Sequence, residues 1–150
     1  MAIPTSTIDT VKDYLVTNIT TQINDTSVLV TYDPPGEYQP DDIVVVGDVI
    51  TWDGTPHAFV GSGGTHWIHE IYRVQVVISV YRGGDNASTT WKRAKALSDS
   101  VDVAVRTDPT LGGAVQIAYP ATAVFTATWE EAHKGRIVEV RKEIHVEAET

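Results

Sequence analysis

The most regular hydrophobic pattern in the chain lies between Ile71 and Tyr81. Apolar or aromatic residues alternate there with a more mixed set, as the two-residue period of a β-strand requires. The alternating positions are Tyr72, Val74, Val76, Ile78 and Val80. β-Branched and aromatic side chains suit a pleated, half-buried surface, so this pattern predicts a strand at the centre of the fold. The glycine-containing stretch Arg82–Asp85 is predicted to end it.

A first amphipathic helix is predicted near the N-terminus, at about Thr7–Thr21. Apolar residues recur there at the spacing of one helix face, at Ile8, Val11, Leu15, Val16, Ile19 and Ile23. Ser6 and Asp9 have the spacing of a capping box, with Ser6 as the N-cap. Lys12 and Asp13 are expected on the opposite, solvated side of this helix.

A second helix is predicted directly after the central strand. Its apolar face is formed by Ala87, Trp91, Ala94, Leu97, Ser98, Val101 and Val105. Asn86 and Ser88 are both candidate N-caps. The helix should end near Arg106, because Pro109 disfavours helical geometry at Asp108. On this pattern the tryptophan of the face is expected to be buried in the core.

Shorter strands are predicted between the first helix and the central strand. Val28–Tyr32 is one and Ile43–Val46 is another. The apolar run Val49–Trp52 either continues the second strand or begins a new one. Asp53-Gly54 is a residue pair favoured in two-residue hairpin turns, so His57–Val60 is expected to run back along the preceding strand.

The last quarter of the chain is predicted to be a β-hairpin. Thr122–Trp129 and Val138–Ala148 alternate as strands, and Glu130–Gly135 turns the chain. One face of the final strand is apolar apart from Lys142, as in a half-buried antiparallel strand. The other face carries Glu139, Arg141, Glu143, His145 and Glu147. Residues 1–150 are therefore predicted to form one α+β domain: a mainly antiparallel β-sheet with two amphipathic helices packed on one face, plus β-hairpin extensions.

Composition narrows the possible functions. The 150 residues are 42% hydrophobic and 21% charged, without cysteine, so disulfides, thiolate catalysis and cysteine-based zinc sites are excluded. No apolar run approaches the ~20 residues of a membrane-spanning helix. The first residues lack the regions of a secretory signal, and no membrane association is expected. The formal net charge of −9 disfavours tight binding to a phosphate backbone.

The sequence contains no recognisable arrangement of catalytic groups. His66 and His69 are the only close histidine pair, and on a strand this spacing puts them on opposite faces. Gly61–Gly64 lacks the residues of a phosphate loop or a nucleophile elbow. Arg82–Asp85 could hold an anion before a helix, but a turn that needs glycine explains it more simply. No catalytic residue, metal or cofactor is therefore assigned, and the protein is not expected to be an enzyme.

Three of the four tryptophans lie near turns and strand ends. They are Trp52, Trp67 and Trp129. Aromatic residues are enriched in the cores of protein–protein interfaces, so these positions are candidates for partner contact. Half-buried aromatics that cap the ends of the core would occupy the same positions, and both interpretations stay open.

The order of predicted elements resembles that of the tail terminator (tail completion) proteins of long-tailed bacteriophages, particularly those with non-contractile tails. The segments that carry this resemblance are Glu70–Val76, Leu111–Val115, Gly135–Val140 and Ile144–Ala148. The resemblance covers nearly the whole chain and rests on element order and short motifs. Related neck proteins, including head–tail joining and stopper proteins, share much of the same pattern.

The resemblance implies a structural protein of the virion, located in the tail-neck region and in the host cytoplasm during assembly. It implies a homohexameric ring that caps the tail tube, ends polymerisation of the major tail tube protein, and docks the head-side connector or stopper protein. Genomic DNA would pass through the ring without specific binding. Candidate subunit or partner contacts are Trp52, Asp53, Trp67, Arg82, Asp85, Trp129, Glu130, Glu131, Arg136, Glu139, Arg141 and Glu143.

Two alternatives from other functional classes remain. The first is a small carbohydrate- or peptide-binding module that would use Trp52, Trp67 and the Gly61–Gly64 loop. The second is a small hydrolase that would use His66, His69 and nearby carboxylates. The hydrolase is disfavoured because no nucleophile, base and orienting group fall in a recognisable pattern.

Overall fold

A computed structural model describes residues 6–34, 40–56 and 68–150 of the chain. Within these ranges the elements are α1 (Ile8–Ile23), β1 (Val28–Tyr32), β2 (Asp42–Pro56), β3 (Ile68–Gly83), α2 (Ala87–Thr107), β4 (Ile117–Glu130) and β5 (Gly135–Glu149). The five strands form one sheet in the order β1-β2-β3-β5-β4. Only β1 and β2 are parallel, and the other neighbours are antiparallel. The predicted α+β class, a mainly antiparallel sheet with two helices, is confirmed.

The predicted central strand is confirmed as the middle of the sheet. Its five alternating residues have no exposed surface, and β3 pairs with β2 on one side and β5 on the other. These side chains pack under both helices, α1 above β1 and β2, and α2 above β3, β5 and β4. The alternate residues of β3 face the uncovered side and are half-buried. That side is called the open face below.

The predicted hairpin at Asp53-Gly54 is wrong. Both residues lie inside β2, where Asp53 pairs with Ile71 and Gly54 with Glu70. The register shifts twice along β2, and such irregularities let a long strand absorb extra residues and keep pairing. A Cβ on Gly54 would lie 2.5 Å from the ring of Trp52, so glycine serves a close approach here and not a turn. The expected return strand His57–Val60 lies outside the described residues.

The first helix confirms its predicted apolar face but not the position of Lys12. Val11, Leu15 and Ile19 are buried as expected, and Lys12 is buried with them. Its ammonium lies 2.9 Å from Asp33 and 4.3 Å from the ring centroid of Tyr32. A lysine can bury its alkyl stem and keep its charged head paired at the rim, which polar–apolar counting does not anticipate.

The start of α1 also differs from the prediction. The N-cap is Thr7 and not Ser6, and it has no side-chain capping bond. Ser6 Oγ instead accepts the Ile8 N–H at 3.2 Å. Thr7 itself is held by a residue of β3, through contacts described below. A long-range tertiary contact thus replaces the local capping box.

The second helix spans Ala87–Thr107 and begins after Asn86, one of the two predicted N-caps. The predicted burial of Trp91 is wrong, since its side chain is 39% exposed. The buried face is centred on Ala94, Leu97 and Val101, with Thr90 filling the first turn. α2 leaves the outer part of the sheet uncovered, so the tryptophan extends beyond the core toward β4.

The C-terminal hairpin is confirmed, with β4 antiparallel to β5 along its length. Lys142, the exception on the apolar face of β5, is buried. Its ammonium lies 2.8 Å from Asp102 Oδ1 and donates a hydrogen bond to Ser98 Oγ at 3.0 Å. The buried lysine therefore joins β5 to α2 by a polar contact inside the core.

Candidate interaction surfaces

Two turns meet at one end of the sheet and form a surface called the hairpin end, residues 83–86 and 129–136. The Gly84 N–H donates to Lys134 O at 2.8 Å, and the Tyr81 hydroxyl donates to His133 O at 2.8 Å. A Cβ on Gly135 would lie 2.7 Å from the Arg82 carbonyl oxygen and closer still to the Tyr81 ring. Only glycine permits this approach, which locks the two turns together.

The hairpin end brings together five of the residues that the sequence marks as candidate contacts. Arg136 donates to Asp85 Oδ1 from Nε and Nη2, at 2.9 and 2.7 Å. The same guanidinium lies over the ring of Trp129, with Cζ 5.4 Å from the centroid. Trp129 Nε1 donates to Glu131 Oε2 at 2.8 Å, and Glu130 Oε1 lies 2.5 Å from a ring nitrogen of His133. An exposed aromatic is thus surrounded by charges of both signs.

The charged side chains of the hairpin end hold one another in place at the protein surface. The hydrogen bond from Lys134, followed by that from Trp129, lowers the pKa of Glu131 below its ordinary value. The Trp129 side chain keeps 41% of its surface exposed. A ring fixed by polar contacts at its rim presents apolar area to a partner at low entropic cost, as interface aromatics do.

Arg82 lies near the end of β3, beside the hairpin end, but its donors are used inside the chain. It binds Asp42 with two nitrogens, Nη1 at 2.5 Å and Nη2 at 3.0 Å. Arg93 of α2 donates to Asp42 Oδ2 at 2.8 Å and to Asp25 Oδ2 at 2.9 Å. Four segments are therefore tied by one ionic network.

The ionic network keeps the carboxyl groups of Asp42 and Asp25 in their charged form. Burial alone would raise the pKa of Asp42, but the hydrogen bonds from Arg82 and Arg93 outweigh it and lower the pKa. The side-chain and backbone hydrogen bonds of Ser27, with that of Arg93, lower the pKa of Asp25 to about 2. Both carboxylates remain ionised at neutral pH, so the arginines are paired and this network holds the fold.

Trp52 and Asp53 lie toward the other end of the sheet, away from the hairpin end. Trp52 is 47% exposed, and its Nε1 donates to Glu70 Oε2 at 2.8 Å. Glu70 has no exposed surface. Its Oε1 accepts the Thr7 N–H at 2.7 Å and the Thr7 hydroxyl at 2.5 Å. Trp67, also a candidate contact, lies outside the described residues.

The charged stripe of β5 lies on the open face, and its members pair within the sheet. Arg141 Nη2 lies 2.7 Å from Glu139 Oε1. Arg73 Nη1, on β3, donates to Glu143 Oε1 at 3.1 Å. These three candidate contacts of β5 thus form a mixed surface with charges of both signs.

Two further surfaces are not indicated by the sequence patterns. β4 lies at one edge of the sheet, and the residues from 122 to 129 are exposed except for Phe125, which is half-buried. The rings of Phe125 and Trp91 stack with centroids 6.0 Å apart and line a shallow, mostly apolar groove of about 520 Å³. The sequence does contain one indication that this strand is exposed. Residues 122–129 are rich in threonine on one face and in alanine on the other, whereas a central strand has at least one strongly apolar face.

The second surface lies at the opposite edge of the sheet, where β1 meets α1. Asp9 and Asp13 are exposed on α1, and Tyr32 at the end of β1 is 41% exposed. Burial raises the pKa of the Tyr32 phenol, Lys12 lowers it, and the nearby carboxylates of Asp9, Asp13 and Asp33 raise it further. This edge is therefore aromatic and acidic.

The described residues contain no group of three or more histidine and acidic side chains placed to hold a metal ion. Among them, no helix has the length and apolar character needed to cross a membrane. His69, one of the sequence's close histidine pair, lies 3.4 Å from Glu147, and His66 is outside the described ranges.

Comparison with known proteins gives matches only among solved structures. No protein-family model matches the sequence, and no curated protein matches it. One solved chain that aligns with it comes from a structure described as "Virion of native gene transfer agent (GTA) particle". The alignment covers 97% of this chain and 100% of that chain, at 13% identity and a TM-score of 0.44. So low a score at this identity carries no argument about fold or function.

Proposed function

We propose that this protein is a structural subunit of a phage-type virion, a tail terminator that forms a ring of six copies on the end of the tail tube. The sequence resemblance supports this proposal, and so does the arrangement of the elements. The observation that carries it is the pair of unlike exposed edges on one sheet, β4 with α2 and β1 with α1. A closed ring is a heterologous assembly, so each subunit needs two different complementary surfaces.

The hairpin end is proposed as the surface that docks the tail tube or the head-side connector. It lies at the end of the long strands and not at a lateral edge, so it stays available when the edges are used between subunits. Its exposed Trp129 and the polar contacts of Arg136 and Glu131 give it the composition of an interface core with a polar rim. On this proposal the protein functions by placing its binding surfaces correctly, and no catalysis is required.

The charge of the chain suits a conduit for DNA. Each copy carries a formal net charge of −9, so six copies would carry 6 × −9 = −54. A wall that attracted phosphates would hold DNA through counterion release, whereas an acidic wall lets it pass. DNA transit without specific binding is part of this proposal.

The test is a mass measurement of the purified protein, alone and after mixing with purified tail tubes. A terminator should give an assembly near six times the 16.4 kDa of one chain, either free or on tube ends. Electron microscopy should show tubes capped at one end that no longer elongate when tail tube protein is added. A strict monomer that ignores tube ends would contradict the proposal. Binding to a head-side connector without capping tubes would instead favour a neighbouring neck protein.

Trp129→Ala separates docking from ring formation. The side chain is 41% exposed, so its removal should leave the fold and the mass of the ring unchanged. Capping of tube ends should weaken by about tenfold or more, since aromatic interface residues often dominate binding. The matched control is Val103→Ala on α2, 44% exposed and outside both the hairpin end and the groove lined by Trp91 and Phe125.

A further inference from the structure

The β4 edge combines apolar area with positive charge. Trp91 and Phe125 form its stacked aromatic pair, and Lys92 and Lys95 line the same groove. Lys95 pairs with Asp99 at 2.6 Å in a solvent-exposed contact, which is worth little in water. Lys92 has no ion-pair partner within the described part of the chain. This surface, called the aromatic–basic edge, is an exception on a chain of net charge −9.

The opposite edge of the sheet has the reverse charge. Asp9 and Asp13 are exposed on α1, and Asp33 and the Tyr32 ring are exposed at the end of β1, against which α1 packs. The nearest cation, Lys12, is buried and already paired with Asp33. This surface, called the acidic edge, therefore presents an aromatic ring with an excess of negative charge. The two edges lie at the two ends of the strand order β1-β2-β3-β5-β4, so they cannot meet within one chain.

We infer that the aromatic–basic edge of one copy binds the acidic edge of the next copy, which rests on the proposed ring and names its subunit contact. The partner is a second copy because the chain itself carries a surface of complementary charge and aromatic character. Electrostatic complementarity of this kind selects partner and register. A contact between two aromatic–basic edges would set Lys92 and Lys95 against their own copies, and like charges disfavour it.

The free side of β4 adds to the same contact. Ala118 N–H donates to Pro109 O at 2.7 Å, so the start of the strand is covered by the preceding loop. From residue 122 onward, β4 has no neighbouring strand on its outer side among the described residues. An exposed strand edge of this kind offers unpaired backbone donors and acceptors to another chain. The proposed contact therefore combines backbone hydrogen bonds, aromatic packing and attraction between opposite charges.

The test uses charge reversal at each edge, read by sedimentation equilibrium or native mass spectrometry. Lys92→Glu/Lys95→Glu and Asp9→Lys/Asp13→Lys should each weaken self-association by about tenfold or more, because each sets like charges together. The chain that carries all four changes has both edges reversed and should associate again, to within about threefold of the wild type. The matched control, Lys134→Glu, reverses an exposed lysine of the hairpin end and should leave association unchanged.

Each possible result supports or overturns the proposed contact between the two edges. Association that survives either double change, or that the fourfold change does not restore although circular dichroism shows each variant folded, would overturn it. If the wild type forms rings only on tube ends, the same variants are compared there. Double variants that still cap tube ends as well as the wild type would overturn the contact, and the tail function would stand. Rings that respond to the reversals as expected but ignore tube ends would support the contact and contradict the terminator function.

Discussion

At the scale of single residues, the interior of this protein contains charged groups that are each matched by polar partners. Glu70, Asp42 and Lys142 are all less than 5% exposed. Glu70 faces the start of α1, where the helix macrodipole favours a negative charge. Asp42 and Lys142 each join a strand to α2. Burying a charge without a partner costs free energy. Removing one member of such a pair therefore destabilises the fold, because the other charge stays buried and unpaired.

Glu70→Ala is expected to lower the free energy of unfolding by about 3 kcal/mol, because it leaves the Thr7 N–H and Trp52 Nε1 without their acceptor and opens a cavity. Urea unfolding followed by circular dichroism measures it. Glu131→Ala, the same change at an exposed position of the hairpin end, is the control and should unfold like the wild type. A Glu70→Ala protein as stable as this control would show that the carboxylate does not anchor α1.

Asp42→Asn is expected to lower stability at pH 7 by about 2 kcal/mol, because Arg82 and Arg93 lose their anionic partner. The folded pKa of Asp42 is depressed, so its contribution is present above the unfolded pKa, about 4. That contribution is lost as pH falls through the lower folded value. Urea unfolding from pH 7 downward should therefore show the wild type and the variant converging in acid. A gap that stayed constant across this range would contradict the assignment.

At the scale of elements, the molecule consists of a rigid centre with two unlike edges. β3 is paired on both sides along its length, and one of its faces is covered by both helices. β4, by contrast, has a bulge after Pro120 and a free outer side. Proline and bulges are typical of edge strands, where they limit uncontrolled pairing. The variable surfaces are thus carried on a fixed core.

Val76→Asp is expected to abolish cooperative folding, because it places a carboxylate without a partner on the fully buried face of β3. The control lies one residue further on. Val77 is on the half-buried open face, opposite Arg141 of β5, so Val77→Asp should stay folded with a much smaller loss. Thermal unfolding followed by circular dichroism compares the two. Equal loss in both variants would contradict the assignment of the two faces.

At the scale of the whole molecule, the two faces of the sheet differ in what they contact. The helix side buries the core, and the open face presents the paired charges of β3 and β5. The network of Asp42 with its two arginines holds α2, β2 and β3 in one arrangement at the hairpin end. Such rigidity would suit the proposed ring, because small errors in subunit geometry would accumulate from copy to copy.

Duplex DNA is expected to show no saturable binding at about 0.15 M salt, because a chain of net charge −9 repels the phosphate backbone. Fluorescence anisotropy with a labelled duplex measures this. The same titration at low salt is the control, and any weak signal there should vanish as salt rises. Tight binding that persisted at high salt would contradict the proposed role as a passive conduit.

Much of the fold follows from local periodicity. The two-residue alternation of Tyr72–Val80 predicts β3 and its buried face, and the helical spacing of Val11–Ile19 predicts the buried side of α1. The hairpin turn at Glu130–Gly135 follows from the change between two alternating runs. These features are predictable because each depends on residues close together in the chain.

Tertiary structure decided what local pattern could not. Trp91 fits the apolar stripe of its helix, but it extends beyond the core toward β4, so the ring is partly exposed and stacks on Phe125. Glu70 and Thr7 are 63 residues apart, and no local rule pairs them. The two unlike edges exist only because the strand order places β1 and β4 at opposite sides of one sheet. The sequence determined the core; the assembled sheet determined which surfaces remain available to a partner, because exposure depends on what lies beside each strand in space.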